Sequence, residues 1–190
     1  MTTGQSMNFA RAGTAGTGVT AIESGNGNHR RTELIVAATH VLVTTPTNEN
    51  LAQGALIYTF PAGQIIVHRV YGDVGLEIND SLLVGDTPEI GLGTAVATGA
   101  NATLGAAAAG ATAEDMWGPH VVAGCDTGAD ATDAGQFVSQ LEFVMADAGA
   151  HLCHLNCADG WTAGAGTADV VLENPARFII DWTILPLGGT

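Results

Sequence analysis

Lysine is absent from this chain of 190 residues, and all five of its basic residues are arginine. Charged residues of either sign are few, at 13%, and 19 Asp and Glu leave a formal net charge of −14. That balance argues against nucleic-acid binding and attachment to an anionic membrane surface, since both require cations facing phosphates. Long apolar runs are also missing. Nothing approaches the ~18 consecutive apolar residues that a membrane-spanning helix needs. The start, Met1-Thr2-Thr3-Gly4-Gln5-Ser6, has neither the basic opening nor the apolar stretch of a secretory signal. Cysteine occurs three times, at Cys125, Cys153 and Cys157. An odd number without framework spacing points to free thiols from a reducing compartment, not to a disulfide scaffold.

What is present supports a packed domain. Hydrophobic residues make up 46%, enough for a core, and 190 residues suit one domain better than two. The 26 glycines show no G-X-Y period, so a collagen-like chain is excluded. Composition shifts near residue 32. Residues 1–32 are dense in Gly, Thr, Ser, Asn and Ala, with isolated apolar residues at Phe9, Val19 and Ile22. They carry Arg11, Arg30 and Arg31 against Glu23, a balance of +2. Residues 33–190 hold Arg69 and Arg177 against the other 18 acids, or −16, and 15 of the 19 acids fall between those two arginines. A segment so poor in apolar surface does not offset an ordering cost of ~1–2 kcal/mol per residue by itself. The expectation is an extended N-terminal arm over 1–32 that orders on a partner, followed by a folded domain over 33–190.

From Thr32 onward the dominant period is two. Leu34, Val36, Ala38 and Leu42 alternate with Ile35, Ala37, Thr39, Val41 and Val43, as in a strand covered on both faces. Ile65–Tyr71 follows the turn Pro61-Ala62-Gly63. Leu76-Glu77-Ile78 and Ser81–Val84 are short strands. Phe137, Leu141, Phe143 and Met145 share one face of a further strand. Phe178, Ile180, Trp182 and Ile184 alternate with Arg177, Ile179, Asp181 and Thr183, the signature of a half-buried antiparallel strand. Helical signals are weak: Thr47–Gly54 is long enough for a turn or two, and the Ala run over 105–110 reads as loop. Many short strands joined by Gly-rich turns, without βα alternation, define an all-β sandwich.

No catalytic, cofactor or metal site emerges. Asp126-Thr127-Gly128 matches the aspartic-protease loop, but its lead-in Val121–Cys125 is weakly apolar and no supporting segment follows, so it reads as a turn. His151, Cys153, His154 and Cys157 have the residue types of a metal site. On a strand, however, Cys153 and Cys157 would stand ~13 Å apart, too far for one ion or a disulfide. Gly91-Leu92-Gly93-Thr94 lacks the lysine of a phosphate loop. Asp73, Asp80 and Asp86 lack calcium-loop spacing. No serine sits in a nucleophile elbow.

Several strings along the body, Asp86-Thr87-Pro88-Glu89-Ile90-Gly91-Leu92-Gly93-Thr94, Met116-Trp117-Gly118, Leu155-Asn156-Cys157-Ala158-Asp159-Gly160-Trp161 and the strand Phe178–Ile184, together resemble the capsid decoration (cement, or auxiliary head) proteins of tailed bacteriophages. The resemblance covers roughly residues 32–186. It implies a jelly-roll β-sandwich that assembles as a homotrimer at local threefold positions on the outer capsid surface of the virion. The protein would be made in the host cytoplasm, with the major capsid protein as partner. It implies no enzyme activity, no catalytic residues and no cofactor. With it, the expected capsid-binding arm residues are Phe9, Arg11, Arg30 and Arg31. The alternative is a capsid-attached receptor- or glycan-binding jelly-roll module, for which Tyr71, Trp117 and Trp161 would supply stacking surfaces and Trp182 would be core.

Overall fold

The computed structural model describes residues 12–38, 41–43, 52–78, 89–99, 103–106, 110–121, 131–145, 151–158, 170–172 and 174–185. Its strands, in chain order, are β1 (Thr14–Ala15), β2 (Val19–Asn26), β3 (His29–Val36), β4 (Val41–Val43), β5 (Ala52–Phe60), β6 (Gln64–Ile78), β7 (Glu89–Gly93), β8 (Trp117–Val121), β9 (Ala131–Met145), β10 (His151–Ala158), β11 (Val170–Leu172) and β12 (Ala176–Leu185). Short 3-10 turns cover Leu104–Ala106 and Gly110–Ala113. Every strand pair is antiparallel.

Pairing defines two sheets. One runs β1-β5-β10-β7-β8. In the other, β2 pairs β3, β3 pairs β12, β12 pairs β6 and β6 pairs β9. β11 continues the line of β12 along β6, and β4 continues that of β3 along β11. This second sheet is therefore five strand positions wide. Four pairs give the topology: β3 with β12, β5 with β10, β6 with β9 and β7 with β8. First pairs with last and each successive strand pairs one step inward, as in a long hairpin rolled into a sandwich. That is the jelly roll, and the all-β expectation holds.

The core lies between the sheets. Leu34 and Val36 of β3, Val70 and Val74 of β6, and Phe178, Ile180 and Trp182 of β12 are buried from one side. Tyr58 and Phe60 of β5, Ile90 and Leu92 of β7, and Cys153, Leu155 and Cys157 of β10 are buried from the other. Two edge-to-face aromatic contacts join the layers: Phe60 with Trp182 at 5.3 Å between ring centroids, and Trp117 with Phe178 at 5.4 Å. Such pairs contribute ~0.5–1.5 kcal/mol beyond area burial. Trp182 Nε1–H donates to Thr32 Oγ1 at 2.8 Å, so the indole pole is satisfied inside the core. The period-two reading of β12 is correct residue by residue for Phe178, Ile180, Trp182 and Ile184.

The arm expectation is corrected from residue 12 onward. β1, β2 and the first half of β3 all fall within 1–32, and the proposed boundary at 32/33 cuts through β3. A two-residue turn at Gly27-Asn28, with Gly27 at φ +61°, closes the β2–β3 hairpin, and the Ile184 amide donates to the Asn28 carbonyl at 2.9 Å. The physical reason is that an edge hairpin needs little apolar surface of its own. Val19 and Ala21 pack on a core that others supply, and the ladder satisfies the backbone. Phe9 and Arg11 lie outside the described residues. The helical reading of Thr47–Gly54 is corrected at its end, where Ala52–Gly54 open β5; residues 47–51 lie outside the described residues.

Candidate docking face and its adjoining cleft

The outer face of the second sheet carries a register that the sequence encodes twice. β6 reads Arg69-Val70-Tyr71-Gly72-Asp73 and β12 reads Arg177-Phe178-Ile179-Ile180-Asp181. Antiparallel pairing sets Arg69 opposite Asp181, Tyr71 opposite Ile179 and Asp73 opposite Arg177. Opposite charges thus meet at both ends of a central apolar pair, the favourable cross-strand arrangement. β3 extends the rows, with Arg31 opposite Asp181, Glu33 opposite Ile179 and Ile35 opposite Arg177. β2 adds Ser24, Ile22 and Thr20.

The side chains follow that register. Arg69 Nη2 donates to Asp181 Oδ2 at 2.7 Å, Arg31 Nε lies 3.8 Å from Asp181 Oδ1, and Arg177 Nε donates to Glu33 Oε1 at 2.6 Å. The Glu33 hydrogen bond and charge raise the Arg177 pKa above the ordinary guanidinium value. The three arginine side chains are about half exposed, at 51%, 47% and 50% for Arg31, Arg69 and Arg177. Exposed ion pairs of this kind contribute little to stability, because water and salt screen them. Ile22, 51% exposed, stands at the rim. A shallow cleft of about 330 Å³ is lined by Arg31, Arg69, Tyr71, Arg177 and Ile179. Beside it, at the end of the β2–β3 hairpin, a second cleft of about 260 Å³ is lined by residues that include His29, Arg30, Arg31, His68 and Asp181.

All four described arginines line these two clefts, although 147 positions separate Arg30 from Arg177 in the chain. Of the expected arm residues, Arg30 and Arg31 are therefore brought to a body surface, joined there by Arg69 and Arg177. The matching Arg-x-apolar-x-Asp strings on β6 and β12 were the signal available in the sequence, but only their pairing makes them meaningful.

Elsewhere, the candidates behave as structural groups. Trp117 is fully buried, which corrects its reading as a stacking surface. A Cβ at Gly72 would come within 2.4 Å of the Trp117 ring, so the β6 glycine makes room for the indole. Trp161 lies outside the described residues, and Tyr71 is half-buried on the outer face. Cys153 and Cys157 are buried thiols, neither of them in a disulfide among the described residues. Burial first, and the charge of Asp115 second, push the Cys153 thiol up, leaving it protonated and inert. His151 bonds the Gly63 carbonyl through Nε2 at 2.8 Å. Among the described residues no group of three or more His, Cys, Asp or Glu is placed to hold a metal ion. Asp126-Thr127-Gly128 and Cys125 lie outside the described residues.

Sequence reasoning passed over Asn156. Fully buried on β10, its Oδ1 accepts from the Ala97 amide at 2.8 Å, and its Nδ2 donates to the Ala95 carbonyl at 3.0 Å and the Ala113 carbonyl at 2.7 Å. It fastens the loops after β7 and before β8. Nearby, burial and then the neighbouring Glu89 charge raise the Glu114 carboxyl, while Glu89 Oε2 accepts the Leu104 amide at 2.9 Å.

No protein-family model matches this chain, and no curated protein does. Among solved structures, that of infectious bursal disease virus Gt strain is similar at a TM-score of 0.20 and 9% identity. The match covers 90% of this chain and 37% of that one, so the chain spans about a third of its length. The jelly-roll assignment rests on the strand pairing described above.

Proposed function

We propose that this protein is a structural decoration protein that cements a bacteriophage capsid from its outer surface, as a homotrimer bound to the major capsid protein. The observation that carries the reading is the gathering of Arg31, Arg69 and Arg177 onto one outer sheet face, with Arg30 in the adjoining cleft, in a chain with a net charge of −14. A strongly acidic protein is repelled by an acidic shell over most of its surface. On this face, Arg31, Arg69 and Arg177 offset Glu33, Asp73 and Asp181, and Tyr71, Ile179 and Ile22 supply apolar contact. Docking through a rigid sheet also avoids the ordering cost that a disordered arm would incur on binding. Phe9 and Arg11 extend this contact in the proposal, while Arg30 and Arg31 act from the body.

The glycan-binding alternative loses support, because Trp117 is buried and Tyr71 remains as the described aromatic on the outer face. The test is sedimentation equilibrium of the full chain, followed by co-sedimentation with empty phage heads. A stable trimer that pellets with heads is expected. A monomer that stays in the supernatant with every head preparation overturns the proposal.

A further inference from the structure

The smaller cleft is built differently from the flat face beside it. β6 has one residue more than β12 at this point: Arg69 pairs with Asp181 and Val67 with Trp182, so His68 has no counterpart. Such a bulge re-aims a side chain. His68 Nε2 reaches Thr183 Oγ1 at 2.8 Å, and the same hydroxyl meets His29 Nδ1 at 2.9 Å. One threonine thus fixes both imidazoles, whose ring centroids are 6.3 Å apart. On the third side stands Arg30, opposite Gly25 and Trp182. Its Nε is buried and has no hydrogen-bond partner among the described residues. Gly25, at φ +136°, keeps the wall thin, since a Cβ there would lie 2.3 Å from the His29 carbonyl oxygen.

The charge of the lining has a clear sign. The lining holds two arginines, Arg30 and Arg31, and a single carboxylate, Asp181. That carboxylate is already engaged from outside this cleft by Arg69 at 2.7 Å, whereas Arg31 Nε is 3.8 Å away, beyond hydrogen-bonding distance. A guanidinium N–H left buried without an acceptor is costly, and a charge-assisted bond to an anion would relieve it. Asn26 adds a polar group at the rim. In so acidic a chain, this is a site where donors outnumber acceptors.

We infer that the cleft formed by His29, Arg30, Arg31 and His68 binds an oxyanion: a carboxylate from a partner's Asp or Glu, or a free phosphate. The inference does not depend on capsid docking. An isolated monomer with no affinity for heads would still bind the anion.

Calorimetric titration of the full chain with inorganic phosphate, against sodium chloride of equal ionic strength, is the direct test. Saturable binding above the chloride background is expected. Arg31→Gln and Arg30→Met should each weaken it about ten-fold or more, the loss of one charge-assisted contact. Arg177→Gln, outside the cleft, should change it less than about two-fold. A blocked tri-glutamate peptide that competes with phosphate would identify a protein carboxylate as the natural occupant. Phosphate binding without competition would identify the free ion. Heats equal to those of chloride overturn the inference, as does undiminished phosphate binding in folded Arg31→Gln. If Arg30→Met fails to fold, Arg31→Gln decides alone, because its half-exposed side chain is not needed for packing.

Discussion

Glu23 and Tyr58 are hydrogen-bonded across the sandwich: Glu23 Oε1, on β2 of one sheet, accepts the hydroxyl of Tyr58 on β5 of the other, together with the Gly13 amide at 2.9 Å. The N-terminal strands are thereby fastened to both layers. Burial, and then the bond to Glu23, push the Tyr58 phenol above its ordinary value.

Tyr58→Phe should therefore destabilise the fold by ~1.5–3 kcal/mol in urea titrations, the range for hydrogen bonds to a charged partner. The pH dependence has a definite sign. The folded phenol holds its proton more tightly than the unfolded one, so this stabilising contribution is complete below about pH 10. It falls as pH rises beyond that value, because the unfolded chain then binds fewer protons. Wild type should lose stability more steeply than Tyr58→Phe above pH 10, and parallel curves would contradict the assignment.

Asn156→Ala should cost ~2–4 kcal/mol, since it strands the Ala97 amide and the Ala95 and Ala113 carbonyls. Hydrogen exchange should accelerate first at Ala97, before the β3–β12 ladder responds.

Glu114→Gln should raise stability at pH 7 by up to ~1 kcal/mol. The Glu114 carboxyl is raised by burial and by Glu89, so its favourable contribution is present below the unfolded carboxylate range and is lost as pH rises through the folded value. Thermal melts from pH 4 to 7 should flatten in the variant.

Gly72→Ala should cost ~1–3 kcal/mol by overpacking against Trp117. A change in indole fluorescence should accompany it.

Arg69→Gln combined with Arg177→Gln should leave the melting midpoint nearly unchanged, because both ion pairs are exposed, yet abolish pelleting with phage heads. Retained pelleting would move the docking surface elsewhere on the molecule.

The sequence made some of this legible and hid the rest for identifiable reasons. β12 was readable because its two faces meet different solvents, so Phe178, Ile180, Trp182 and Ile184 contrast with Arg177 and Asp181. The β2–β3 hairpin was not, since Val19 and Ala21 look too sparse to order a segment until the surface they cover is known. Counting a segment's own apolar residues measures what it contributes, not what it shields. Trp117 was misplaced for a related reason. Its cavity is made by Gly72, 45 positions earlier, and a glycine in a strand announces vacated space without saying who fills it. The clefts depend on register, with Arg31, Arg69 and Arg177 arriving on three strands from distant parts of the chain.

The position of β12 has a temporal consequence. It is the final described strand, yet it occupies the interior of its sheet, hydrogen-bonded to β3 on one side and β6 on the other. A nascent polypeptide emerging from the ribosome cannot close that layer until β12 has been synthesised. Assembly of the sandwich is thus dominated by partners distant in the chain, which places the protein among slow folders.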